Sequence, residues 1–223
     1  FVAWRLPETL AHRNPQALHL APMLAAWRRM LTHRAFVAWA ALVGCTYGGL
    51  FTTLAGSSFI FIDVLKLSPA QYGLALASCS LAYIAGNFAT SRLVHRLGDR
   101  RMMQAGQAFT LSAIVLLLAL GLAGVNTPLA FSLPLIFLGI GHGLLVPPAL
   151  TGTVSLLPAL AGSAAAVAGV MQQLLGAAGG YAVGLVRHDG AVNLGWLMLG
   201  FALSAATAQA LLHRHARQAP ARP

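Results

Sequence analysis

Six long apolar runs follow one another along the chain, separated by short polar segments. A bilayer core about 30 Å thick is crossed by about 20 residues of α-helix, and each run is uncharged over that length or more. The pattern predicts an all-α membrane protein in which 1–34 form a connector, 35–212 a six-helix bundle and 213–223 a tail. The predicted transmembrane helices are 35–62, 70–91, 102–124, 128–150, 161–185 and 193–212.

Charge is concentrated in a few places and predicts the orientation. The chain is 58% hydrophobic and 8% charged, with 14 basic residues against 4 acidic ones. In a soluble protein this balance would suggest nucleic acid, but 12 of the 14 basic residues lie in the connector, in 92–101 or in the tail. An even number of helices puts these segments on one side, which the positive-inside rule identifies as the cytoplasm. We therefore expect both termini in the cytoplasm and no nucleic-acid partner.

The connector has its own signals. Residues 11–34 are basic and interrupted by Pro15 and Pro22, so we expect a cytoplasmic segment that is partly an amphipathic helix on anionic lipid. Phe1 to Trp4 resemble the end of a further transmembrane helix, which predicts that the chain is a fragment of a longer one.

Several kinds of chemistry are absent from the sequence. It contains no phosphate loop, no HExxH and no nucleophile elbow, and its apolar runs hold no Asp, Glu, Lys or Arg away from their ends. Cys45 and Cys79 lie inside apolar runs without metal-ligand spacing, so neither a metal nor a cofactor is expected. We expect a protein that is not an enzyme, which leaves a transporter, a channel or a structural subunit.

Transporters are often built from three-helix inverted repeats, and broken helices at corresponding positions indicate the binding site. The first and fourth runs correspond in such an arrangement. Gly48-Gly49 in the first and Pro147-Pro148 in the fourth predict helix breaks, because proline removes a backbone donor and crowds the preceding turn. Carbonyl groups freed by the prolines would lie near His142 at mid-membrane.

Candidate cavity residues carry polar or aromatic groups inside the runs. His142 has the only imidazole well inside one, and it is either functional or a neutral side chain bonded to a freed carbonyl. Aromatic residues at helical spacing are also common in ordinary packing, but uncharged aromatic and amide groups suit bulky, weakly polar ligands. The other cavity candidates are Tyr47, Phe51, Ser58, Tyr83, Asn87 and Gln172.

Glycines recur at four-residue spacing in three runs and give each helix a flat face. Because lipid tails are as apolar as leucine, membrane helices associate largely through close backbone packing, which such faces allow. Helix packing is a sufficient interpretation of these residues: Gly44 and Gly48, Gly139 and Gly143, and Gly176, Gly180 and Gly184.

The order of residues resembles one family. Tyr47–Phe51 and Leu67–Gly73 resemble the seventh helix and following loop of the Bcr/CflA drug-resistance subfamily of the major facilitator superfamily, and Gly139–Leu144 and Ala161–Gln172 resemble its tenth and eleventh helices. Leu6–Leu10 resemble the end of its sixth helix.

The segment Ser91–Arg101 is similar to a cytoplasmic loop signature of that superfamily. Arg96, Gly98 and Arg100 match it, whereas Ser91 and His95 replace the usual glycine and acid. The resemblance implies a cytoplasmic gate loop containing Arg92, Arg96, Gly98 and Arg100, although a plain positive-inside anchor explains the arginines equally well.

The resemblance implies the C-terminal half of a twelve-helix major facilitator fold in the bacterial inner membrane. It further implies proton-coupled export of small, chemically varied drugs by two six-helix halves, with the coupling acid usually in the N-terminal half, which this chain lacks. Protons, drug molecules, the lipid bilayer and that other half would be the partners, with no cofactor. The competing interpretation is a non-transporting membrane scaffold or channel subunit that binds partners through its glycine faces.

Overall fold

A computed structural model of the chain describes residues 19–187 and 190–218, with side chains through Arg214. The sequence interpretations of Phe1–Trp4 and of Leu6–Leu10 lie outside the described residues, as does the end of the tail.

The described residues form seven α-helices: α1 (Leu20–Thr32), α2 (Arg34–Ser58), α3 (Pro69–Leu97), α4 (Asp99–Leu122), α5 (Pro128–Ser155), α6 (Ala161–Gly184) and α7 (Ala191–Gln218). Each of α2 to α7 is long and apolar enough to cross a membrane, which confirms the predicted all-α fold with six transmembrane helices. A π-helical turn at Phe59–Val64 extends α2, and a short 3₁₀ turn at Pro158–Leu160 leads into α6.

Local sequence determines where several helices begin. Ser68 and Gln71 form a capping box, in which each side chain accepts a hydrogen bond from the other residue's backbone N–H, and Pro69 supplies the first helical residue of α3. At the start of α5 the Thr127 hydroxyl accepts from the Ala130 N–H at 3.2 Å. These caps fix the helix starts on the side of the bundle opposite α1.

Three helices extend beyond their apolar runs at the same side of the bundle. α3 continues to Leu97, α5 to Ser155 and α7 to Gln218, whereas the apolar runs end at 91, 150 and 212. Apolarity marks only the hydrocarbon core, and helices commonly continue into the polar interface. Basic residues also stabilise a helix C-terminus, and α3 has His95 and Arg96 in its last turn.

This extension corrects the predicted gate loop. Arg92 and Arg96 lie on α3 and Arg100 lies in the first turn of α4, so Gly98 alone separates the two helices. Gly98 has φ of +78°, a conformation that favours glycine, and it allows α4 to begin immediately.

The predicted helix breaks are also corrected. Gly48-Gly49 lies within continuous α-helix in α2, and Pro147-Pro148 lies within continuous α-helix in α5. The irregular backbone of the first transmembrane segment is instead the π-helical turn at Phe59–Val64, at the end of α2 remote from α1. Membrane helices tolerate proline where a neighbouring side chain satisfies the freed carbonyl, and α5 has such a partner on α3.

The helix contacts repeat after three helices. α2 packs against α6 and α7, α5 packs in the same way against α3 and α4, and the remaining large contact joins α4 to α7. The same set of contacts results when α2, α3 and α4 are exchanged with α5, α6 and α7 respectively. The bundle therefore consists of two three-helix repeats. Because each repeat has an odd number of spans, the second repeat has the opposite orientation in the membrane to the first.

Close glycine contacts follow the same symmetry. A Cβ added to Gly143 of α5 would lie 2.5 Å from the carbonyl oxygen of Tyr83 on α3. A Cβ added to Gly179 of α6 would lie 2.5 Å from the carbonyl oxygen of Gly48 on α2. The predicted packing role is confirmed for Gly44, Gly48, Gly139, Gly143 and Gly176, whereas the open faces of Gly180 and Gly184 contact nothing within 4 Å among the described residues.

The interior has apolar clusters on both sides of a polar layer. One cluster, around Phe61, Ile114 and Phe131, lies toward the end of the bundle that holds the π-helical turn. Another, around Leu42 and Leu145, lies toward the α1 end. The buried polar side chains between them are Thr46, Gln107, Thr110 and His142.

Candidate functional site

Three of the predicted cavity residues meet at one hollow between α2, α3 and α5. Tyr47, Tyr83 and His142 line it together with Thr46, Leu50 and Val146, and its water-accessible volume is about 30 Å³. The Tyr83 side chain is 37% exposed, so the hollow opens at the surface of this bundle, whereas His142 is 4% exposed and forms its inner wall. The site therefore presents two phenols and an imidazole from three separate helices.

The hollow is polar without fixed charge. Among the described residues, no carboxylate, ammonium or guanidinium group lines it. Two tyrosine rings offer π faces that attract aromatic groups and cations, and their hydroxyls are hydrogen-bonding handles. The hollow therefore offers stacking surfaces and hydrogen-bonding groups without a fixed charge.

A second hollow lies behind His142, inside the bundle. It lies between α2, α4, α5 and α7 and has a water-accessible volume of about 10 Å³, and His142 and Thr46 each line both hollows. His142 therefore separates the surface hollow from an interior polar layer. The residues that line the interior hollow are Cys45, Thr46, Gly49, Gln107, Thr110, Ile114, Leu138, His142, Leu145, Met198, Ala202 and Ala205.

Hydrogen bonds join parts of this layer. The Gln107 amide donates from Nε2 to the carbonyl of Ala202 at 3.0 Å and so links α4 to α7. The Thr46 hydroxyl donates to the Leu42 carbonyl of its own helix at 2.7 Å. The hydroxyl of Thr110 is buried and has no hydrogen-bond partner among the described residues.

A glycine makes room for the Thr110 hydroxyl. A Cβ added to Gly141 would lie 2.6 Å from the Thr110 Oγ1. The absence of a side chain at 141 thus lets α4 approach α5 next to His142. This close approach explains why the polar layer is narrow.

The carbonyl freed by Pro147 has a partner, but it is not His142. Thr90 of α3 donates its buried hydroxyl to the Gly143 carbonyl at 3.0 Å. That carbonyl is the one that the N–H of residue 147 would bond in a regular helix. No hydrogen bond joins the His142 imidazole to another described residue, so the structure does not show the alternative in which His142 bonds a freed carbonyl.

The remaining cavity candidates do not line the surface hollow. Phe51 packs at Gly176 of α6, and the Ser58 hydroxyl donates to the Ala55 carbonyl at 3.1 Å. The Asn87 amide donates to the Tyr83 carbonyl of its own helix at 3.1 Å. Gln172 is half-buried on α6.

The basic residues between α3 and α4 are exposed. The Arg92 guanidinium lies 4.9 Å from the centre of the Phe88 ring, one helical turn earlier, in a cation–π contact. Arg96 and Arg100 are also exposed, on either side of Gly98. These side chains are available to other groups at this end of the bundle, which leaves their gate role a prediction.

Sequence reasoning did not single out three polar residues that shape the site. Thr90, Gln107 and Thr110 are all buried, and each faces a neighbouring helix. Gln107 could have been found, because an amide inside an apolar run needs a partner. Thr90 could have been sought as the donor for the carbonyl that Pro147 releases, but the sequence does not say which helix supplies it.

The fold is that of a multi-pass membrane protein built from two three-helix repeats. Its polar hollow carries no fixed charge. The family model described as "Major Facilitator Superfamily" matches residues 1–180. The chain therefore belongs to the major facilitator superfamily.

Two similar bacterial proteins are longer than this chain. The chain is 26% identical over 198 residues to a Bacillus subtilis (strain 168) protein named "Uncharacterized MFS-type transporter YdgK", covering 88% of this chain and 48% of that protein. It is 27% identical over 179 residues to an "Uncharacterized transporter" of Rickettsia bellii (strain RML369-C), covering 76% of this chain and 44% of that protein. The chain thus spans about half the length of the curated relatives it matches.

Proposed function

We propose that this chain is one half of a proton-coupled secondary transporter that exports small, chemically varied compounds. The observation that carries the proposal is the meeting of Tyr47, Tyr83 and His142 at one uncharged hollow on the surface of a two-repeat bundle. In repeat-built transporters the substrate site lies near mid-membrane where the repeats meet, and α2 and α5 are the first helices of the two repeats. The names of the relatives, both transporters, agree with this proposal.

The other half of the transporter would pack on α3 and α6. These are the least buried helices, with 17% and 22% of their most apolar segments buried against 67% in α5. α6 also presents Gly169, Gly180 and Gly184, around which nothing lies within 4 Å among the described residues. Small residues allow a second bundle to approach closely. The surface hollow would then face the other half and form one wall of a shared cavity.

Proton coupling is proposed for the complete transporter. The transmembrane runs have no carboxylate away from their ends, so an acid in the other half would carry the proton. In this chain the hollow would bind the compound, and the arginines at 92, 96 and 100 would contribute to the gate at the cytoplasmic end. The chain alone would then lack coupled transport.

The orientation follows from charge. Arg92, Arg96, Arg100 and Arg101 lie at the α3–α4 end of the bundle, whereas Lys66 and Arg187 lie at the opposite end. The arginine-rich end is also the end that holds α1, and the positive-inside rule supports its placement in the cytoplasm. The bacterial inner membrane is the proposed location.

Export from everted membrane vesicles that contain the full-length protein tests the site. Ethidium, an aromatic cation, is the probe. Replacing Tyr83 by Ala removes one ring from the hollow and is expected to reduce transport about tenfold, the equivalent of one lost aromatic contact. Trp196→Ala is the control, because Trp196 is an aromatic residue that is 55% exposed on α7, outside both the hollow and the face proposed to contact the other half.

The same vesicles distinguish a transporter from the competing interpretation, a membrane scaffold or channel subunit. A scaffold or channel subunit would not concentrate ethidium against its gradient, and neither substitution would change its accumulation. Equal losses in Tyr83→Ala and Trp196→Ala would show that the hollow is not the binding site.

A further inference from the structure

We propose that the α1 end of the bundle binds one anionic phospholipid, with its phosphate at Arg28, Arg29 and Arg34 and an acyl chain in the groove between α2 and α7. The proposal is independent of transport and depends only on the membrane fold. Two adjoining hollows of different character carry it.

The first observation is the surface of α1. Leu20, Leu24 and Leu31 share one side of the helix and are 72%, 58% and 51% exposed. Met30, on the neighbouring side, is fully buried with Phe36 in a cluster shared with α6. An amphipathic helix fixed to the bundle along one side while its leucines remain exposed lies at a membrane interface.

The second observation is the adjoining pair of hollows. The basic hollow is lined by Leu24, Ala25, Arg28, Arg29 and Thr32. The apolar groove has a volume of about 540 Å³ and shares Thr32 with the basic hollow, so the two adjoin there. The groove is lined by Leu31, Thr32, Arg34, Val37, Ala38, Ala41, Thr207, Ala208 and Leu211.

Charge complementarity identifies the headgroup. Arg28, Arg29 and Arg34 are exposed, and none has an ion-pair partner among the described residues. The acids in that part of the chain are Asp63, at the opposite end of the bundle, and Asp99, at the start of α4, and neither lines these hollows. Three unpaired guanidinium groups favour a phosphate, which arginine can bind with two parallel hydrogen bonds.

The apolar groove makes the occupant a lipid. Val37 is 41% exposed and Leu211 is 50% exposed, so the walls of the groove offer an apolar surface directly beside the arginines. A free phosphate would use the arginines and leave this surface uncovered. A phospholipid satisfies both parts, because its phosphate and its acyl chains are joined at the same interface.

Native mass spectrometry of the full-length protein in detergent tests the site, with dioleoyl phosphatidylglycerol and dioleoyl phosphatidylcholine as the probes. Wild-type protein is expected to retain one phosphatidylglycerol with on the order of 100-fold preference, since each arginine near a membrane surface contributes about fivefold. The variant R28Q/R29Q/R34Q is expected to lose that preference.

The matched control is R96Q/R100Q/R101Q. It removes the same charge from the junction of α3 and α4, on the same side of the bundle but outside the two hollows, and is expected to keep the preference for phosphatidylglycerol. A second variant, Val37→Trp, keeps every arginine and narrows the groove. It is expected to weaken binding of both lipids about tenfold, the effect of losing contact with roughly two methylene groups, while their ratio is unchanged.

Three results would overturn the proposal. The first is a wild-type protein that retains the two lipids equally, and the second is equal loss of preference in both triple variants. The third is displacement of phosphatidylglycerol by inorganic phosphate, which would define a site for free anions. If R28Q/R29Q/R34Q does not fold, the proposal is tested by Val37→Trp alone. Undiminished lipid binding in that variant would then reject the site.

Discussion

The hydroxyl of Thr90 on α3 donates a hydrogen bond to the carbonyl of Gly143 on α5 at 3.0 Å. The carbonyl is free because Pro147 cannot donate to it. One side chain thus satisfies the backbone of a neighbouring helix and joins two helices beside the surface hollow. This bond satisfies the carbonyl that Pro147 releases, one of the two carbonyls that the proline pair leaves without a backbone donor.

Replacing Thr90 by Val is expected to destabilise the full-length protein by about 1 kcal/mol, because the Gly143 carbonyl would lose its donor within the membrane. Unfolding in a detergent titration measures the change. Thr153→Val is the matched control, since the buried Thr153 hydroxyl bonds only the Ala149 carbonyl of its own helix at 2.8 Å.

A second substitution makes this prediction specific. Pro147→Ala restores an N–H that can bond the Gly143 carbonyl, so Thr90→Val is expected to cost less in that background. An equal cost in both backgrounds would show that the hydrogen bond does not compensate for the proline.

The sequence predicted the fold well because apolar length is the dominant signal in a membrane. All six runs correspond to helices, but the ends of α3 and α7 could not be placed, because the polar interface allows a helix to continue after its apolar residues end. The breaks at Gly48 and Pro147 were wrong for a related reason. Local propensity indicates where a helix is weak, whereas contacts from other helices decide whether it stays regular.

The site was predicted only in part. Tyr47, Tyr83 and His142 are polar or aromatic groups within apolar runs, and this made them visible in the sequence. Their meeting depends on the contacts of α2 and α3 with α5, which no local pattern reveals. Phe51 shows the same limit, since its ring packs at a glycine of α6.

Gly143→Ala is expected to destabilise the full-length protein by roughly 1–3 kcal/mol, the usual cost of overpacking a tight contact. The added Cβ would lie 2.5 Å from the Tyr83 carbonyl oxygen and 2.7 Å from the Asn87 nitrogen, which are backbone atoms of α3. Gly200→Ala is the control, because nothing lies within 4 Å of that position among the described residues. Detergent unfolding compares the two, and equal stabilities would contradict the close approach of α3 and α5.

His142→Ala is expected to reduce ethidium export by the full-length protein about fivefold, equivalent to roughly one lost hydrogen bond to the compound. His142→Asn keeps a donor and an acceptor and is expected to retain most of the activity. Initial rates between about pH 6 and about pH 8, on either side of the ordinary imidazole pKa of about 6.5, provide the measurement. The expected pH profile is that of the wild type, and a shifted profile in both variants would instead assign His142 to proton transfer.

The proposed orientation predicts opposite labelling at the two ends of the bundle. In a full-length protein with Cys45 and Cys79 replaced by Ala, Lys66→Cys is expected to react with an impermeant maleimide in whole cells. Arg96→Cys is expected to react only in everted vesicles. Both native positions are exposed, so access to the reagent depends on the side of the membrane. The reverse pattern would contradict the assignment of the arginine-rich end to the cytoplasm.

The central claim is that this bundle is half of a transporter driven by a proton gradient. Purified full-length protein reconstituted in proteoliposomes, with an imposed pH gradient and no ATP, tests it most directly. We predict that ethidium accumulates while the gradient lasts, stops accumulating when a protonophore collapses it, and accumulates more slowly in Tyr83→Ala than in Trp196→Ala. Accumulation that ignores the gradient and requires ATP would contradict the claim.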